Sequence, residues 1–170
     1  MALGEEEATA AMEGEAARRK MDEEEDCMTI EDIIETLEKT DMPDGRIDAF
    51  ITCAFLLKQL RPAEPKDFDG PHDYMPSSIK SQHGFLMARP FTHDVNHAID
   101  LCREVRPDAV WHLARGRQTS DDCLYGAQLR AINGGESVLG EAESNHAALA
   151  LTLAALRAHV RQESEKRAGA

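Results

Sequence analysis

His93 and His97 stand one helical turn apart, with Cys102 further along the same run. Imidazoles at i and i+4 project from one helix face and can share a transition-metal ion. An H-E-x-x-H site needs a glutamate after its first histidine and a third ligand beyond; here Asp94 and Val95 follow His93, and no third ligand has the spacing. Two surface histidines are the plainer reading of the pair. His112 and Cys123 offer a second chemistry, because across a hairpin of suitable register an imidazole can turn a thiol into a nucleophile. No orienting third group or oxyanion site accompanies them, and a cysteine on an apolar face belongs more often to a core. Asp67, His72 and Asp73 bring carboxylates and an imidazole into one loop, as polar loops commonly do. Arg115, Arg117 and Arg130 are expected to cluster on the outer face of the same hairpin. Their guanidinium groups suit carboxylate or phosphate, and Asp121 and Asp122 lie close by in sequence. There is no G-x-x-x-x-G-K-S/T loop, no G-x-G-x-x-G and no zinc-finger spacing, so no nucleotide, metal or other cofactor is implied.

The elements that must position these residues follow from periodicity. The longest helix-forming run is Asn145 to Arg161, where Leu149, Leu153, Leu156 and Val160 form a stripe and Ala150, Ala154 and Ala158 leave the adjoining face thin. At about 1.5 Å per residue this run spans roughly 25 Å, the width of a small domain. Either Ser144 or Asn145 can cap it. Thr29-Ile-Glu-Asp32 is a capping box opening a helix from Ile30 to about Thr40, with Ile30, Ile33, Ile34 and Leu37 at helical spacing. Asp44 can cap a second helix, Arg46 to Leu60, whose Phe55 and Leu56 lie off the main stripe and imply contact with two layers. Prolines make 61–78 a loop, and Ile79 to Met87 reads as one strand ended by Pro90. Thr92 is expected to cap a third helix carrying Val95, Ala98, Ile99, Cys102 and Val105. Ala109–Arg117 and Cys123–Ile132 have period two and read as an antiparallel hairpin around Gly116–Asp122. Asn133-Gly134-Gly135 ends the second of these strands. The expected fold is α+β, a small antiparallel sheet of about three strands packed by helices in the order α-α-β-α-β-β-α.

Charge divides the chain. Residues 1–40 hold 14 acidic residues against 4 basic ones, a balance of −10 that leaves −3 of the total −13 for the remainder. Residues 1–28 are therefore expected to be a disordered acidic arm, 29–162 a single α+β sandwich domain, and 163–170 a flexible tail. A solubilising arm is its plain reading. The sharper one is an arm whose Glu23, Glu24, Glu25 and Asp26 dock on a basic partner. Binding to a nucleic-acid backbone requires surplus Lys and Arg to displace counterions, and the deficit here argues against it. The N-terminus lacks the pattern of a secretory signal, and no apolar run approaches the ~20 residues that span a bilayer, so a soluble cytoplasmic protein is expected. Four widely spaced cysteines without a C-x-x-C pair read as reduced thiols.

The run Gly45-Arg46-Ile47-Asp48-Ala49-Phe50-Ile51, the Phe91-Thr92 entry to Ala98-Ile99, the Trp111 strand and the ending Ala147-Ala148-Leu149-Ala150-Leu151-Thr152-Leu153-Ala154-Ala155-Leu156-Arg157-Ala158 resemble the phage α/β/α-sandwich domain proteins. The resemblance spans roughly 29–160. It implies a small phage or prophage protein and carries no functional residues to transfer. The chain departs from the pattern in its acidic arm, in the proline-rich 61–78 stretch and at His146.

These readings lead to a non-enzymatic phage-type accessory protein that binds an unknown host or phage protein through a helical or sheet face, the arm adding electrostatic steering. A sharper form is an inhibitor of a host nucleic-acid-handling or defence complex. The alternatives are a metal- or thiol-dependent enzyme built on His93, His97, His112 or Cys123, and a minor virion structural protein, with self-association left open.

Overall fold

The computed structural model describes residues 28–70, 73–117, 123–132 and 137–169. Helix α1 (Ile30–Thr40) opens on the predicted capping box: Thr29 Oγ1 accepts from the Asp32 amide at 3.1 Å, and the Asp32 carboxylate accepts from the Thr29 amide at 2.9 Å. Its Ile33 and Leu37 are buried. Asp41 ends it at φ 45°, and its carboxylate reaches across the fold to accept from Ser144 Oγ at 2.6 Å and Asn145 Nδ2 at 2.7 Å.

Helix α2 (Gly45–Phe55) is capped by Asp44 as predicted but stops before Leu60. The Leu56 and Leu57 amides share the Thr52 carbonyl, a helix-terminating arrangement. Leu57 and Leu60 then turn onto a small cluster of Ala49, Cys53 and Ile79, while Ile47, Ile51, Phe55 and Leu56 pack on the main core, so α2 serves two layers, though not through the Phe55 and Leu56 that implied it. Beyond it lies a sheet the sequence read as loop plus a single strand. Strands β1 (Arg61–Pro62), β2 (Ser78–Ser81) and β3 (Gly84–Met87) pair antiparallel in that order. The chain reverses at Gln82–His83, with Gly84 at φ 129° opening the return, where an unbroken strand was expected. Between β1 and β2, Pro65–Asp67 form a single 3₁₀ turn.

Helix α3 (Val95–Val105) is capped by Asp94, which accepts from the Asn96 amide at 2.7 Å, and not by Thr92. Strands β4 (Ala109–Arg117) and β5 (Cys123–Ala131) form the predicted hairpin, and β6 (Val138–Ser144), expected as loop, adds to β5. The fold is α+β, with two three-stranded antiparallel sheets among the described residues instead of one. Helix α4 (Ala147–Ala168) packs on β5 and β6 and against α3 and α1, which is why its first turns are buried on every side. His146 occupies its N-cap position without a side-chain bond, while Ser144 and Asn145, the predicted caps, are engaged with Asp41. Residues 163–168, expected as a tail, continue the helix.

Candidate functional site

Asp48 is the buried charged group around which the best-connected polar cluster forms. Set between Ile47 and Ala49 on the inward side of α2, it is 1% exposed. Its carboxylate accepts from the Thr92 amide at 2.8 Å and from Thr92 Oγ1 at 3.1 Å, and meets His93 Nδ1 at 3.0 Å. Thr92 Oγ1 in turn accepts from the Asp44 amide at 3.0 Å. Thr52 Oγ1 accepts from the Arg89 amide, and Thr152 Oγ1 donates to the Phe91 carbonyl at 2.8 Å. The turn Pro90–His93 is thus sewn to α2 and α4 by buried side chains, satisfying backbone groups that cannot reach water. Burial pushes the Asp48 carboxyl above its ordinary range, and the Thr92 and His93 bonds oppose that shift.

An acid beside an imidazole invites comparison with a catalytic relay, in which the acid holds one ring nitrogen and a hydroxyl meets the other. Here Asp48 and Thr92 meet the same nitrogen, Nδ1. The arrangement orients His93 and fastens the turn, and it activates no hydroxyl among the described residues.

The predicted constellations are divided by the register. His93 is anchored on Asp48, while His97 Nδ1 lies 3.6 Å from the Asp94 carboxylate, beyond hydrogen-bond distance. Among the described residues no three of His, Cys, Asp and Glu gather at metal-binding spacing. His112 pairs with Gln128 and Cys123 with Arg117, five residues along β4 from His112, so the register does not permit the imidazole–thiol pair. Cys123 Sγ instead accepts from Arg115 Nη2 at 2.7 Å. Burial pushes the Cys53 thiol up to about 11 and that of Cys102 up to about 12, which leaves both protonated near neutrality.

The expected arginine cluster is also split. Arg115 pairs with Tyr125 and Arg117 with Cys123, on the face that carries Ala127 and Leu129, whereas Arg130 pairs with Val110 on the other face, where Gln128 Oε1 accepts from its Nη2 at 2.8 Å. Asp67 does take part in an ion pair, a two-bond fork from Arg61 at 2.8 and 2.7 Å, and that guanidinium holds its carboxyl down at about 2. Arg61→Gln is therefore expected to return Asp67 to the ordinary carboxylate range in a carboxyl-detected NMR titration. In the native chain the pair contributes fully above the unfolded value near pH 4, and its contribution is lost as pH falls toward 2. Glu23, Glu24, Glu25, Asp26, His72, Asp121, Asp122 and the Asn133-Gly134-Gly135 stop lie outside the described residues.

The second sheet has two edges, and they are treated differently. Along β6, Arg157 donates to the Glu141 carbonyl and, at 2.7 Å, to Glu38, while Arg161 donates to the Val138 carbonyl at 2.7 Å. Two arginines of α4 thereby occupy carbonyls of that edge. Along β4, no described side chain bonds the backbone, and nine residues run from Ala109 to Arg117 with no acid, lysine or proline to discourage pairing. Val110 is 44% exposed and Trp111 37% exposed on this strand. The predicted hairpin contained this feature, but only the position of β6 and α4 makes β4 an edge. No described helix is long and apolar enough to cross a membrane. Comparison with known proteins finds no matching family model, no matching curated protein and no matching solved structure.

Proposed function

We propose that this chain is a non-enzymatic accessory protein of the phage or prophage type that binds another protein, and that it does so by accepting an extended segment of its partner along β4. The observation that carries the reading is the asymmetry of the second sheet, whose β6 edge is occupied by Arg157 and Arg161 while its β4 edge, among the described residues, presents unpaired backbone beside exposed Val110 and Trp111. Strand addition draws its affinity from main-chain hydrogen bonds and its selectivity from alternate side chains. The fitting segment carries an apolar residue to cover Trp111 and an acid to meet Arg115. The inhibitor form of the reading is supported by sequence alone, through the −10 balance of residues 1–40, which would compete with nucleic acid for a basic surface.

The test is hydrogen exchange on the complex captured by the full chain, beside the variant Val110→Lys/Trp111→Lys. Slowed exchange from Val110 to Arg115, with loss of the complex in the variant, is expected. Protection confined to the helices overturns the β4 assignment. A purified chain that dimerises alone and is made monomeric by the variant identifies the added strand as a second copy.

A further inference from the structure

A cavity of about 700 Å³ runs beside α2, lined across from the helix by residues 60–65 and by Tyr74 and Pro76. That volume lies within the range of small-molecule sites. Arg46, Phe50, Cys53 and Ala54 line it at i, i+4, i+7 and i+8, one continuous face of α2, and Lys58 follows just beyond the helix end. Leu60, Ala63 and Tyr74 face that stripe across the trough. From Arg46 to the Leu56 cap the helix runs roughly 15 Å, and Lys58 follows beyond that end. The cavity is a trough with an apolar middle and a cation at each end.

The charges at its rim are not equally available. Asp44 is committed to the Arg46 and Ile47 amides as the cap of α2. Glu64 is held by Lys66 at 2.6 Å, and Arg61 by the Asp67 fork. Arg46 lies over the Phe50 ring, 5.7 Å from its centroid, a contact that leaves guanidinium donors free. Among the described residues, no carboxylate stands within ion-pair distance of Arg46 or Lys58. The Cys53 thiol in the wall stays protonated, so the site is suited to binding and not to thiol chemistry.

We propose that this trough binds an elongated dianion with an apolar middle, the class of the long α,ω-dicarboxylates, one carboxylate at Arg46 and the other at Lys58. Arginine presents a fork that matches a carboxylate in two bonds, and lysine presents a point charge. The aliphatic body removes apolar wall from water. A ligand with a single anionic end satisfies one cation only, and a diamine meets repulsion at both ends.

Titration of the full chain with dodecanedioate, dodecanoate and 1,12-diaminododecane tests this, read by calorimetry and by amide shifts. Dodecanedioate is expected to bind about fivefold more tightly than dodecanoate, the scale of one exposed ion pair, and the diamine not at all. Shift changes should centre on Phe50, Ala63 and Tyr74. In Lys58→Gln, and separately in Arg46→Gln, the two acids should bind alike; both positions are solvent-facing, so the variants fold. Equal affinity of the two acids for the native chain, no binding of either, or shifts gathered instead at the exposed Phe85–Met87 strand overturns the proposal.

Discussion

Gly140→Ala is expected to destabilise the fold by roughly 3 kcal/mol, at the upper end of what overpacking a core costs. Gly140 sits on β6 where it passes beneath α4, and a Cβ there would stand 2.7 Å from the Ala158 amide nitrogen and closer still to the carbonyl oxygen of Ala154. Neither neighbour is a side chain that can swing aside. Both are helix backbone, tied into the hydrogen-bond ladder of α4, so relief requires moving the helix away from β5 and β6 together. That movement opens space around Leu149, Leu153 and Leu156, all buried in the main core. The matching control is Gly126→Ala, where a Cβ meets nothing within 4 Å, and whose stability should change by no more than about 0.5 kcal/mol. Denaturant melts of the two variants decide the matter. Equal midpoints would mean that α4 does not rest on β6 as described.

Asp48→Ala should cost about 3 kcal/mol, because it leaves the buried Thr92 amide without an acceptor and removes the carboxylate that also holds the Thr92 hydroxyl and His93. Asp48→Asn is the informative partner. An asparagine keeps the shape and still accepts from the Thr92 amide, while its NH₂ can donate to Thr92 Oγ1 or to His93 Nδ1, so a loss of about 1 kcal/mol is expected. If the alanine variant were as stable as the asparagine one, the turn Pro90–His93 would not depend on this carboxylate. The pH dependence separates the variants further. Burial raises the Asp48 pKa above its unfolded value, so the folded state binds this proton more tightly, and the group's contribution declines as pH rises through that window. The sign is opposite to that of Asp67, and Asp48→Asn should remove the Asp48 slope while leaving the Asp67 one.

Both positions show how little of the site could be found from composition. Asp48 does leave a trace in the sequence, since a lone acid between Ile47 and Ala49 interrupts an apolar helix face, but nothing along the chain indicates that Thr92 and His93 arrive beside it. Thr92 itself was expected to cap a helix. It lies two residues from Asp94, an equally good cap, and the choice between them was made by Asp48, which takes the Thr92 amide and hydroxyl for itself. Ser144 and Asn145 lost their expected capping role in the same way, to the distant Asp41.

What the sequence determined by itself were the features whose signal is local. The Thr29–Asp32 capping box, the apolar stripe of α1, the Asp44 cap and the alternation of β4 and β5 each depend on residues within one or two turns, and all stand where periodicity put them. Tertiary structure decided the rest. Strand β6 does not show as a period because a register shift buries Leu139 beside Gly140, and the inward positions Gly140, Ala142 and Ser144 are small and weakly apolar. Gly84 turned one expected strand into two, since a glycine can mean a weak strand or a reversal and only the pairing of β2 with β3 selects between them. The arginines separated because Arg130 stands opposite Val110, an odd number of residues from Arg115 and Arg117, and a single-residue difference in register exchanges the faces of a sheet. The edge of β4, open among the described residues, and the trough beside α2 exist only where distant segments end or meet, which is why the two surfaces proposed to bind are those the linear chain conceals most completely.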